Sequence, residues 1–160
     1  MSSNAYPYIL GTIQEITCYQ DNCCQQILSL NTRSGPASVL LLPSTFVAGM
    51  EMMRPGMTIA AFYNPNAPVP LIYPPQYRAT AITSVRENET VMLNYFNTNL
   101  AASDNSLVLI PSERTQVFTA NGQPYRCSPG GNFLLVYYSA ATRSIPPQTT
   151  PDRIIVFCQE

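Results

Sequence analysis

The chain of 160 residues has no histidine, no lysine and no tryptophan. Without His it has no imidazole base, no His-assisted nucleophile and no His ligand for a metal. Without Lys it has no Schiff-base amine and no P-loop lysine. Charge is scarce as well: 11% of residues are charged, against about 25% in an average soluble domain. All eight basic side chains are Arg, and the net charge is -1. Nucleic-acid binders carry a basic excess that displaces phosphate counterions, and its absence argues against a nucleic-acid partner. No apolar run approaches the ~20 residues of a membrane-spanning helix. The start, Met-Ser-Ser-Asn-Ala-Tyr-Pro, has no basic segment followed by a long apolar one. The expectation is synthesis in the cytoplasm with no membrane span. No serine sits in Gly-x-Ser-x-Gly, and the nearest carboxylate pair, Glu87 and Glu89, flanks Asn88 in a polar turn. A non-enzymatic protein without cofactor or metal is expected.

What is present reads as β-structure. Hydrophobic residues make up 46% of the chain, enough for a core, and fifteen Pro with ten Tyr suit short strands and stiff loops. Strands are predicted at 11–17, 26–30, 38–42, 57–63 and 77–85, from β-branched runs bounded by turn residues. Phe46–Met53 is predicted as a short helix with Ser44 as N-cap and Pro55-Gly56 as its exit. The loop from Asn64 to Pro75 holds five Pro and is expected to be extended. Further strands are predicted at 90–96, 106–112, 132–138 and 153–157. Asn121-Gly122 marks a hairpin turn, because that dipeptide accepts positive φ.

The second half echoes the first. Leu41-Leu42-Pro43-Ser44 matches Leu109-Ile110-Pro111-Ser112 at a shift of 68, and the strand from Met57 matches that from Asn132 at 75. Arg153 falls on Arg78 at the same shift of 75, and Pro-Pro-Gln precedes the last strand of each half. Five strands with an insertion between the third and fourth is the pattern of an OB-like barrel. The predicted fold is therefore all-β, with two tandem OB-like five-stranded barrels related by internal duplication. Their bounds are 1–84 and 85–160, and one larger barrel or sandwich is the alternative.

The stretch from Tyr137 through Ser139, Thr142, Arg143, Ser144 and Ile145 to Pro146-Pro147-Gln148 follows a Gly-initiated strand and precedes Ile154-Ile155-Val156. It resembles a motif of small uncharacterised β-barrel proteins of spore-forming Gram-positive bacteria. The resemblance covers most of Ser106 to Phe157 and, more faintly, Gly11 to Ile82. It implies a lineage and a spore or cell-surface address, and no activity. The cysteines depart from that motif.

Those five cysteines are Cys18, Cys23, Cys24, Cys127 and Cys158. Zinc is disfavoured, because the spacing lacks Cys-x-x-Cys and adjacent Cys23 and Cys24 rarely aim at one ion. Buried free thiols are the plain alternative, and that reading suits Cys158 at the end of an apolar strand. An exposed cluster and an odd count fit disulfides between copies of the chain. The expected function is a self-assembling structural subunit, a homo-oligomer or polymer forming a surface or spore-associated layer or filament. The competing expectation is a small binding module for glycan, peptide or single-stranded nucleic acid. Its ligand-facing side chains would be Tyr63, Tyr73, Tyr77, Tyr137 and Tyr138, with Arg78 and Arg143.

Overall fold

The computed structural model describes residues 5–159; the first four residues, read above for a leader, and Glu160 lie outside that range. The described chain is all-β apart from one 3-10 turn. It divides into two compact units, Pro7–Arg86 and a second that runs on from Glu87 and takes in Tyr6.

The first unit contains β1 (Tyr8–Tyr19), β2 (Asn22–Thr32), β3 (Gly35–Leu41), β4 (Phe46–Val47), β5 (Thr58–Phe62), β6 (Gln76–Arg78) and β7 (Ala81–Ser84). They form one sheet in the order β4-β7-β5-β1-β2-β3-β6. β1 organises it: Tyr8–Thr12 pair with β5, and Gly11 onward pair with β2. Both partners reach Gly11, where a Cβ would stand 2.8 Å from the Asn31 carbonyl oxygen. Two strands crowd one residue there because it has no side chain. Inward-facing Ile13, Leu28, Leu30, Val39, Ile59, Ala61 and Ile82 pack into one core, following the period-two alternation of strands.

The helix predicted over Phe46–Met53 does not form. Phe46-Val47 pair in parallel with β7, and a 3-10 turn, Ala48–Met50, follows. Left-handed backbone at Gly49 (φ 68°) and Met50 (φ 51°) stops any helix. Ser44 caps nothing; Val47 stands at the N-cap without a side-chain bond. The strand predicted over 77–85 is split by Ala79-Thr80 into β6 and β7. At that break the Ala79 N–H donates to the Leu40 oxygen (3.1 Å), and the Thr80 N–H donates to the Phe62 oxygen (2.7 Å). The segment thus transfers its bonding from β3 to β5.

The second unit contains β8 (Thr90–Phe96), β9 (Val108–Leu109), β10 (Gln116–Thr119), β11 (Asn132–Tyr138), β12 (Gln148–Thr149) and β13 (Arg153–Phe157). Four of these form a sheet in the order β10-β13-β11-β8, and β12 pairs with β9. Phe96, Leu107, Leu109, Leu134, Val136, Ile154 and Val156 make a core of their own. Of the strand predicted over 106–112 only β9 forms, because the preceding turn at Ser103–Ser106 is tied down by buried Asn94. Its Nδ2 donates to Asp104 Oδ1 (3.0 Å), and its Oδ1 accepts from Ser103 Oγ (2.7 Å). The predicted Asn121-Gly122 turn is present: Gly122 has φ 86°, and the Thr119 N–H donates to the Gln123 oxygen (2.7 Å). The peptide bonds before Pro74 and Pro146 are cis.

No sheet closes into a barrel by its own ladder, so the two closed five-stranded barrels are not what the strands form. The first sheet has seven strands, and in the second unit the place of β2 is taken by two bridging residues only, Ala101 and Ala102, which pair antiparallel with Val108 of β9 and Phe96 of β8. The units nevertheless share a pairing scheme. β3 is parallel to β6 as β9 is to β12, and β4 is parallel to β7 as β10 is to β13. β5 is antiparallel to β7 as β11 is to β13. The registers correct the sequence matching. Phe62↔Ala81 corresponds to Tyr137↔Arg153, so the counterpart of Arg153 is Ala81, not Arg78. Likewise Ser38↔Gln76 corresponds to Val108↔Gln148, which moves the Leu-Leu-Pro-Ser match by two residues. The first correction is of three residues and the second of two; a slip of two keeps every side chain on its face, so residue type alone did not expose the second.

Candidate functional site: a thiol-bearing hairpin and two tyrosine grooves

All five cysteines are exposed. This overturns the buried-thiol reading of Cys158: the apolar run stops at Phe157 and the sulfur falls beyond β13. Cys127 lies in the loop ahead of β11. The other three sit at the β1–β2 hairpin. Tyr19 and Asn22 pair across Gln20-Asp21, whose positive φ values of 48° and 61° form the primed turn that suits the twist of two strands. The register then slips. β1 steps from Tyr19 to Cys18, while β2 steps from Asn22 to Gln26, so Cys23, Cys24 and Gln25 bulge from the ladder. The bulge returns Cys23 against Cys18, whose thiol donates to Cys23 Sγ at 3.5 Å. The Cys24 N–H donates to Asn22 Oδ1 (3.0 Å). The Cys18 thiol is held above its ordinary range, first by its hydrogen bond to Cys23 and then by its electrostatic interaction with Cys23. Loss of hydration and Asp21 add smaller effects. Among the described residues no cluster of Cys, Asp and Glu is arranged to hold a metal ion.

Of the predicted ligand-facing residues, Tyr63, Tyr77 and Arg78 come together. They line a small cleft of about 130 Å³ with Tyr19, Asn64 and Gln76. The Tyr63 and Tyr77 rings lie 4.7 Å apart with planes 36° askew. Burial raises the Tyr63 hydroxyl, and the nearby Tyr77 charge raises it further. Tyr73 lies in a second groove of about 580 Å³ with Tyr8, Leu10, Arg33 and Ile72; Tyr77 lines this one too. Tyr137 is not ligand-facing: it is wholly buried, with the Arg153 guanidinium 3.8 Å from its ring centroid. Tyr138 packs against the second core, and exposed Arg143 lines neither groove. Tyr8, Tyr19 and Arg33 were missed. Tyr8 and Leu10 carry the only available sign, alternate apolar positions on one side of a strand that would otherwise be polar.

Among the described residues no helix is long and apolar enough to cross a membrane. No known family, no curated protein and no solved structure matches the chain.

Proposed function

We propose that the chain is a tandem of two OB-like units derived from one, and that it serves as a non-enzymatic structural subunit. It associates with copies of itself into a surface or spore-associated layer or filament cross-linked through its thiols. The single observation that carries this reading is that every cysteine is exposed, although cysteine is among the residue types most often buried. Exposed apolar side chains at Leu71, Ile72, Tyr73 and Ile145 add surface that a neighbouring copy would remove from water. Duplication is supported by the common pairing scheme and by Thr45 and Thr115. Each accepts from a backbone N–H, of Leu42 and Ser112, and donates to a carbonyl, of Ala79 and Pro151. OB-like closure is supported by the continuous segment Gln76–Ser84, bonded to β3 at one end and to β5 at the other.

Purified protein is expected to give a ladder on a non-reducing gel that collapses with reductant, and ordered polymers by electron microscopy. Monomer in both lanes, with no polymer on the grid, overturns the reading.

The second reading, a binding module, is favoured by Tyr77, which lines two adjoining grooves. The chain lacks Trp and has ten Tyr, so its emission is that of tyrosine, and the Tyr77→Ala comparison isolates the part that the grooves contribute. Titration with neutral oligosaccharides and Pro-rich peptides should change that emission in the native chain and not in Tyr77→Ala. An unchanged signal with both ligand sets eliminates this reading.

A further inference from the structure

We infer that Cys18 and Cys23 form a disulfide with each other within one chain, leaving Cys24 as the thiol of the hairpin that remains for links between copies. This rests on the self-association reading and narrows it, because two of the five cysteines are then removed from intermolecular bonding.

The geometry selects this pair. The two sulfurs already touch at 3.5 Å, and a disulfide needs about 2.05 Å. The remaining ~1.5 Å is within reach of small χ1 rotations of two exposed side chains at a strand end. The three-residue bulge is what places them, since Cys23, Cys24 and Gln25 are extra against β1. Cys24 takes no part in the sulfur contact, and its backbone is fixed by the bond to Asn22 Oδ1. A Cys23–Cys24 bond would distort the peptide unit between them. Two thiols in contact also face one another at an effective concentration in the millimolar range, above that of a second copy in dilute solution. The turn keeps them there, because Gln20 and Asp21 are both in left-handed backbone that fixes the hairpin.

The oxidant is a low-molecular-weight disulfide. A thiolate of the pair attacks one of its sulfurs and expels the first small thiol, giving a mixed disulfide on the chain. The second protein thiolate attacks the protein-side sulfur of that bond and expels the second small thiol. One S–S bond forms as one breaks, the small disulfide is reduced by the two electrons the protein loses, and the two protons leave on the released thiols.

The test uses the full chain, reduced and then exposed to oxidised glutathione. Acid quench, alkylation of remaining thiols and cleavage after Tyr19 separate Cys18 from Cys23-Cys24, and mass spectrometry reads the linked peptides. The expected result is a Cys18–Cys23 link in the monomer band, with Cys24, Cys127 and Cys158 alkylated there. The link persists in Cys24→Ser and is lost in Cys18→Ser and Cys23→Ser. A triple variant at Cys24, Cys127 and Cys158 separates the two readings. If it forms the internal link while the native chain gives no ladder, self-association fails and the inference stands. If it forms ladders through Cys18 or Cys23, the inference fails and self-association stands. A native chain in which Cys24 is oxidised while Cys18 and Cys23 are alkylated also overturns the inference.

Discussion

Gly11 is the residue whose smallness the first unit most requires. Its missing side chain leaves room for the Asn31 carbonyl at 2.8 Å and Thr32 Cγ2 at 3.0 Å. Gly11→Ala is expected to destabilise the fold by about 1–3 kcal/mol, since the nearer neighbour is backbone; denaturant unfolding measures it. Asp104 carries a pH signal. Partial burial pushes its carboxyl up, but hydrogen bonds from Ser106 and Asn94 outweigh this and leave it below the usual value. A carboxyl lower in the fold than in the unfolded chain stabilises above its unfolded value of about 3.9 and ceases to do so as pH falls through its folded value. Urea midpoints should therefore drop below about pH 4, and Asp104→Asn should flatten that part of the profile. Alternation alone showed that Tyr137 and Tyr138 point oppositely. It could not say which points inward, because both rings are large and both suit a strand. The structure buries Tyr137 wholly, with the Arg153 guanidinium over its ring, and that decided which of the two is interior.

Among the elements, the strands with unbroken apolar periodicity were legible from the sequence: β5, β8, β11 and β13 lie within a residue of expectation. The failures share a cause. Phe46–Met53 has helix-forming composition, yet Phe46 and Val47 gain backbone partners on β7 that an isolated segment lacks. Thr45 holds that entry, and Thr115 holds the corresponding one in the second unit. Each Oγ1 bridges a backbone N–H and a carbonyl. Thr45→Val and Thr115→Val should each cost about 1–3 kcal/mol by leaving partly buried backbone groups unpaired. Similar losses in denaturation would agree with duplication, and a large loss at one site with none at the other would speak against it. The hairpin thiols were legible as a cluster. Their pairing was not, because it depends on a bulge that no turn residue announces.

At the scale of the molecule, each unit has its own apolar core. Ile59→Ala should weaken the first and Leu134→Ala the second, each by about 2–5 kcal/mol as buried side chains lost to cavities. Calorimetry of the two variants should shift different transitions; a single transition moved equally by both would show one cooperative block. The sequence by itself determined the β-class, the four strands of unbroken apolar period and the exclusion of His- and Lys-based chemistry, because these follow from residue type and short-range period. Only the tertiary structure decided which tyrosines line a groove, which strand pairings of the two units correspond, and that Cys18 meets Cys23. Those depend on register and on partners distant along the chain: a shift of two residues leaves each side chain on its face while altering what it touches, and a three-residue bulge is set by the pairing of two strands rather than by a local period.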